Sequence, residues 1–418
     1  MRHVPNHRAR ALLLASAIAG AALGCEAPAD PDLITVSDSA GTRIVTYASL
    51  DDEAFPAIEF EPGVDTIGAV DGPDEYFFRW IVSAELAPDG IVTADHQDYE
   101  LKHFDRNGRF VSRIGGEGEG PGEFEALDWV QSLGDSLFFV WDGRNNRLTR
   151  ARLTEAGLSH ESSVPGPWSP AISPIGVFAP VRIAVDNARM IPVGDRGSLS
   201  DPFQVIASVV NLDEDPSAER LLEIAAVVAE PHFVSRDGMF APLLFPTGHD
   251  FFFGDGVLWV QDGMKSEFRR VRVEGMLELV VRLPPERPVA DQDINEFREA
   301  NLRRAAGSEA MMRRALDEVP YPSVVPSLRE MAVDEEAGIV WVTGFTTGEE
   351  PAPWYLFDSL GCPIGRVTVP GGNPPLDIAG RRIVVRDRDE LDVERILIHR
   401  LAELPSDRAG RAATACPR

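Results

Sequence analysis

The sequence has little cysteine, almost no lysine and, beyond its first two dozen residues, no long apolar run. Its three cysteines, Cys25, Cys362 and Cys416, are too few for a disulfide-framework mini-protein and too scattered for a zinc site built from cysteine pairs. Lys102 and Lys265 are the only lysines, which we read as compositional bias rather than function. Without a second apolar run of membrane-spanning length, a multi-span helical membrane protein is excluded. Basic residues number 40 against 67 acidic ones, a formal charge of −27. That balance excludes nucleic acid as a partner, because phosphate contacts need a basic stripe. It also disfavours direct adhesion to anionic lipid headgroups. Solubility through self-repulsion accounts for it without any partner. At 44% hydrophobic and 26% charged, the chain is a folded one with an ample core.

The N-terminus carries a sorting signal. Arg2, Arg8 and Arg10 form a positive segment, and Ala11 to Gly24 (ALLLASAIAGAALG) is an apolar stretch too short to span a bilayer. It ends at Leu23-Gly24-Cys25, which resembles the lipobox of bacterial lipoproteins, departing from it at Ala22 and Leu23. The resemblance implies lipid attachment at Cys25. Ordinary signal cleavage and an uncleaved anchor are the alternatives. Glu26 to Asp32 is a polar, proline-containing tether. In an oxidising compartment Cys362 and Cys416 can pair and tie the C-terminal tail to the body, or remain two separate thiols.

The body is repetitive. An apolar strand, an aspartate, a polar turn, a second apolar strand and another turn recur at 91–104 with Asp95 and at 137–153 with Asp142. They recur weakly at 190–210 with Asp195, then at 257–273 with Asp262, at 339–358 with Gly344 in the loop, and at 383–401 with Asp387. The wealth of Val, Ile, Leu and aromatics argues for strands. A further strand precedes several copies, as at 80–86 and 328–333, so each unit has about four strands, one propeller blade. The expected fold is all-β, a six-bladed β-propeller. The hairpin formed by 33–36 and 43–47 around Ala40-Gly41 is expected to add to the last blade and close the ring.

The repeat resembles the NHL-type blade, whose strand ends in Asp before a polar turn and a strand ending Phe-Asp. More specifically, the chain is similar to bacterial six-bladed β-propeller lipoproteins. The matching runs are Asp38-Ser-Ala-Gly-Thr-Arg-Ile-Val45, Ile114-Gly-Gly-Glu-Gly-Glu-Gly-Pro-Gly-Glu-Phe124 and Asp387-Arg-Asp-Glu-Leu-Asp-Val-Glu-Arg395. The family implies fold and address and has no single activity. The organisation expected is a signal peptide over 1–24, a tether over 25–32, the propeller over 33–404 and a C-terminal tail over 405–418. A helical pair over 291–318 is expected as an insertion between blades four and five. Asp293 and Glu296 form its capping box, Ser308 caps the second helix, and Pro320 and Pro322 end it. It either packs on the rim or acts as a lid over the channel.

Chemistry is sparsely signalled. The glycine-rich run 115–122 lacks phosphate-loop spacing and carries Glu117 and Glu119, so it reads as a tight crossing between blades. No H-E-x-x-H and no G-x-S-x-G is present. His96, His103, His160, His232, His249 and His399 offer no helical metal spacing, and His96 and His249, in or beside turns, are the best candidates. Asp95, Asp142, Asp262 and Asp387 are expected to cap turns. Those turns would gather on one face and present His96, Asp98, Tyr99, Arg144, Asn145, Asn146, Arg196, Lys265, Trp354, Arg388 and Asp389 as a binding rim. Tyr99 and Trp354 either stack on a ligand or pack within blades. Such a rim suits a protein, peptide or carbohydrate, bound by a monomer that meets the membrane only through its lipid. No cofactor is expected. A divalent metal, calcium or zinc, would belong to the competing expectation, a propeller hydrolase or lyase like the lactonases or amidating lyases.

Overall fold

The computed structural model describes residues 33–166, 172–179, 182–189, 203–211, 222–229, 233–235, 240–246, 250–254, 256–285, 287–305, 307–345, 351–389, 391–403 and 416. Cys25, Asp195, Arg196, His232 and His249 lie outside the described residues.

Local turn chemistry builds the strands into hairpins. The aspartate of each Phe-Asp pair shows how. Asp105 Oδ1 accepts the amides of Asn107 and Arg109 at 2.8 and 2.9 Å, and Gly108 takes φ 72°. Asp358 repeats this with Leu360 and Cys362 at 2.9 and 2.8 Å, with Gly361 at φ 77°. In both, the fourth residue must enter the left-handed region that glycine occupies without strain. Asp95 and Asp142 work at the other turn. Asp95 Oδ1 accepts the amides of Gln97 and Asp98, while Oδ2 accepts that of Arg79 at 2.7 Å, just before a new strand. Asp142 likewise accepts Asn145, Glu125 and Ala126 at 3.0 to 3.1 Å. Each carboxylate therefore fixes its own turn and the start of the first strand beside it. Asp262 differs, pairing with Lys265 at 3.1 Å and with Arg269.

Among the described residues there are six sheets of at least four strands, in chain order, antiparallel except for one parallel pair in the fourth. Their first strands are Ile81–Ala87, Leu127–Leu133, Ile172–Ala179, Phe251–Gly254, Glu330–Asp334 and Pro375–Ala379. Each packs against the first strand of the next sheet, and Pro375–Ala379 packs back against Ile81–Ala87. Ladder registers such as Ile81 with Asp95 and Leu127 with Asp142 put the turns after the second strands at the end where first strands begin. We call that the near end; the turns after first and third strands form the far end.

The N-terminal hairpin, Ile34–Ser39 with Thr42–Tyr47, departs from expectation. It joins the fourth sheet, not the last, through parallel pairing of Arg43 to Thr46 with Leu279 to Arg282. The sixth sheet gains its outer strand from Asp65–Ile67, which pairs with Ile396 to Ile398. The reason is apolar burial. Val45, Tyr47 and Phe55 are at most 2% exposed and fill the gap between the fourth and fifth sheets against Leu279, Val281 and Phe357. Burying each such side chain contributes roughly 1.5–3 kcal/mol, which the three-residue strand Asp65–Ile67, with a single buried side chain, could not supply. Cys362 and Cys416 form a disulfide with Cα atoms 5.7 Å apart. Arg43 donates to both sulfurs and, through Nε, to Leu360 O at 3.0 Å, while Tyr47 Oη donates to Gly361 O at 2.7 Å.

Two helices, α1 (Asp291–Arg304) and α2 (Glu309–Glu318), lie between the fourth and fifth sheets in sequence. The cap of α1 differs from the expected one. Ala290 is the N-cap, and Asp293, one turn inside, accepts the Ala290 amide at 2.8 Å. Arg287 grips the same carboxylate with two 2.7 Å bonds, which lower its pKa. Ser308 is the N-cap residue of α2, as expected, but its hydroxyl donates to Ala305 O and accepts no helix amide. Ala315, Leu316 and Val319 pack against Ala241 of the small hairpin Phe233–Val234 with Phe240–Ala241.

Candidate functional site

The turns at the near end position the expected rim, and most of its side chains are occupied in holding those turns. His96 Nδ1 lies 2.9 Å from Leu127 O, and its ring sits 4.9 Å from that of Trp80. Asp98 pairs with Arg79 at 3.1 Å and with Lys102 at 3.5 Å. Lys102, 1% exposed, is a buried cation that donates to Phe77 O at 2.8 Å under the Phe78 ring. Tyr99 and Asn146 take φ 57° and 47°, and Asn145 and Asn146 donate to Gly118 O and Gly166 O. Arg144 reaches Glu125 at 3.5 Å. Arg388 binds Glu394 and Asp392, and Asp389 accepts Leu391, Val393 and Arg395. Trp354 is corrected: it is 3% exposed, packed with Trp341, Ile58 and Ile364, and does not reach the rim. The glycine-rich crossing is equally committed, since a Cβ at Gly115 would fall 2.2 Å from Tyr99 O.

The remaining histidines are similarly placed. His160 Nε2 lies 2.9 Å from Ser163 Oγ. His103 and His399 are buried, and burial lowers the pKa of each. Among the described residues, no group of three or more His, Cys, Asp or Glu is placed to hold a metal ion.

The first strands enclose a different site that repeat-reading did not find. All six contribute to a central cavity of about 500 Å³. Its lining includes Glu85, Asp128, Asp135, Glu335, Glu336 and Asp377 and, among the described residues, no lysine, arginine or histidine. Trp129 and Phe252 add aromatic surface, and Ile175 and Met331 aliphatic surface. The carboxylates are held by neighbouring strands. Glu85 accepts the Ser132 amide and hydroxyl, both at 3.2 Å. Asp377 accepts the amides of Leu86 and Ile378 at 2.6 and 2.7 Å. Gln131 spans three sheets: Nε2 donates to Glu335 at 3.0 Å and to Phe253 O, and Oε1 accepts the Val177 amide at 2.8 Å.

Electrostatics in this channel favours protonated acids. Burial raises Asp377 to about 6, against the backbone amides that favour its charge, and neighbouring Asp334 adds to the rise. Burial also lifts Glu85 well above the usual carboxylate range, with the Asp377 charge adding to it. Two acids that resist simultaneous ionisation therefore line one lumen. The sequence signal was present but outside the repeat: polar residues at alternate positions, Ser83 and Glu85, on a strand otherwise apolar.

No family profile and no curated protein matches the sequence. Among the described residues, no helix is long and apolar enough to cross a membrane. Solved structures with a similar course include a Bacteroides fragilis protein assigned as exported, 10% identical, covering 86% of this chain and 100% of its own, TM-score 0.46. A DUF4221 member from Bacteroides vulgatus is 12% identical over 82% and 97%, TM-score 0.43. An inactive virginiamycin B lyase from Staphylococcus aureus is 11% identical over 81% and 99%, TM-score 0.39. Likeness at this level carries no functional argument; the conclusion that stands is a mostly β chain of small antiparallel sheets arranged about an acid-lined lumen.

Proposed function

We propose that the chain is an exported, lipid-anchored, monomeric six-bladed β-propeller that acts by binding, with its central channel receiving a cationic group. Each of the six sheets counts as a blade, and the helical pair is an insertion at the near end. Cys25 carries the lipid, and the stretch 26–32 tethers the body to the cell envelope. The observation that carries the ligand reading is the channel lining, which among the described residues has six carboxylates and no basic side chain. In a confined, low-dielectric lumen such a lining concentrates cations, and Trp129 and Phe252 offer faces for an ammonium or guanidinium. A basic peptide segment or an organic amine has the matching chemistry.

An arriving cation favours the charged carboxylates, so Asp377, pushed up to about 6, gives up its proton on binding, and Glu85, lifted by burial, is drawn the same way. A metal-dependent hydrolase or lyase has no ligand set to rest on among the described residues. The test is calorimetric titration with spermidine at low salt, with glucose as the neutral control. Saturable spermidine binding, at least tenfold weaker in the Glu85→Gln/Asp377→Asn double variant, is expected. An affinity untouched by that double substitution rejects the channel. Stoichiometric calcium or zinc in extensively dialysed protein would turn the assignment towards the enzyme.

A further inference from the structure

The far end carries a second concavity, of about 770 Å³, between the sixth sheet and the first. Three arginines line it. Arg106 stands in the Asp105 turn of the first sheet, and Arg382 and Arg400 stand on the sixth sheet. Arg382 and Arg400 are direct partners across an antiparallel ladder, a placement in which like charges repel.

Two of the three are oriented by a single partner residue. Arg400 binds Asp65 at 2.9 Å, and Arg106 Nε donates to Pro88 O at 2.7 Å. The Arg382 side chain makes no hydrogen bond or ion pair among the described residues. Burial and then the neighbouring Arg400 lower its pKa, with Arg106 adding to the fall, while the charges of Asp377 and Glu336 act in the opposite sense. The two carboxylates on the lining are engaged, Asp65 with Arg400 and Asp105 with the amides of its own turn. A chain of formal charge −27 thus gathers three guanidiniums around one hollow, and one of them has no carboxylate in direct contact among the described residues. Guanidinium forks match the oxygens of a tetrahedral oxyanion, and each such bond is charge-assisted.

We propose that this concavity is an anion site for a phosphate group, free or at the end of a phosphorylated small molecule. It is separate from the channel reading and stands or falls without it. The probe is inorganic phosphate, added to the whole mature protein at low ionic strength, with sodium chloride at matched ionic strength as reference. Phosphate is expected to raise the melting temperature saturably beyond chloride. Arg382→Gln is expected to weaken that apparent affinity at least tenfold, yet to melt no lower than the parent without phosphate, because it gives up no partner. Arg106→Gln, in an exposed turn, is the second variant and is expected to weaken phosphate as well. Glucose 6-phosphate compared with glucose separates the sources: a shift by the ester assigns a phosphorylated metabolite, and a shift by phosphate alone assigns the free anion. Equal shifts by phosphate and chloride, or a phosphate shift kept in full by both variants, overturn the site.

Discussion

The Asp334 carboxylate accepts the Gly380 amide at 3.0 Å, so the first turn of the fifth sheet grips that of the sixth. The other oxygen accepts Ala337, also at 3.0 Å, and the residue has no exposed surface. Burial raises its pKa despite both bonds. Asp334→Ala strands two amides next to the channel floor. Losing two such bonds costs about 2–4 kcal/mol. Urea unfolding should show a lower midpoint with an unchanged slope; a midpoint equal to the parent's refutes the inter-sheet role.

The channel acids make stability depend on pH in a stated direction. Asp377 titrates near 6 in the folded chain, above the ordinary aspartate value of 3.8. The folded state therefore holds the proton longer than the unfolded one. This group's contribution is fully present below the unfolded value, falls as pH rises through the folded value, and is flat above it. The difference in melting temperature between Asp377→Asn and the parent should grow in the variant's favour from pH 4 to pH 6 and level off beyond. A difference independent of pH over that interval contradicts the raised pKa.

The disulfide has a stability consequence of its own. Cys362 and Cys416 are 54 residues apart in sequence and both 1% exposed. Bridges closing loops of this size stabilise by about 2–4 kcal/mol. Cys416→Ser should lower the urea midpoint accordingly, and adding reductant should do the same to the parent but nothing further to the variant. Identical unfolding of parent and variant argues that the bridge holds nothing.

Lipid attachment has a direct assay. Cys25→Ala should move the protein from the membrane to the soluble fraction after cell breakage. Unchanged sedimentation with membranes would falsify acylation at that residue.

Turn chemistry was the most legible part of this chain. Asp105 and Asp358 act on amides within a few residues, as does one oxygen of Asp95 and of Asp142, so that part of their meaning is local and readable. The third repeat, weakest in the sequence, is described only in part. Its second strand is Arg182–Arg189, and the loop read around Asp195 lies outside the described residues. The N-terminal hairpin's partner was not readable, because choosing the fourth sheet depends on contacts with Val281 and Phe357, hundreds of residues away. Asp293 illustrates a subtler miss. An acid three residues before another acid looks like a cap, but the Arg287 fork makes it the reciprocal member of a cap at Ala290. The rim expectation failed at Trp354 because an aromatic strand residue reads alike whether it faces solvent or core. Glu85 and Asp377 were missed because first strands lie outside the recurring Asp-turn unit.

The placement of the hairpin also decides how a pull on the N-terminus would travel. Tension from that side meets the pairs Ile34 with Tyr47 onward, then the parallel seam of Arg43 to Thr46 on Leu279 to Arg282, backed by the Arg43 bonds to the bridge. The short latch of Asp65–Ile67 lies downstream of this seam and is relieved of strain until it shears. Load from that side is therefore taken by the hairpin and its seam before it reaches the strand that completes the sixth sheet.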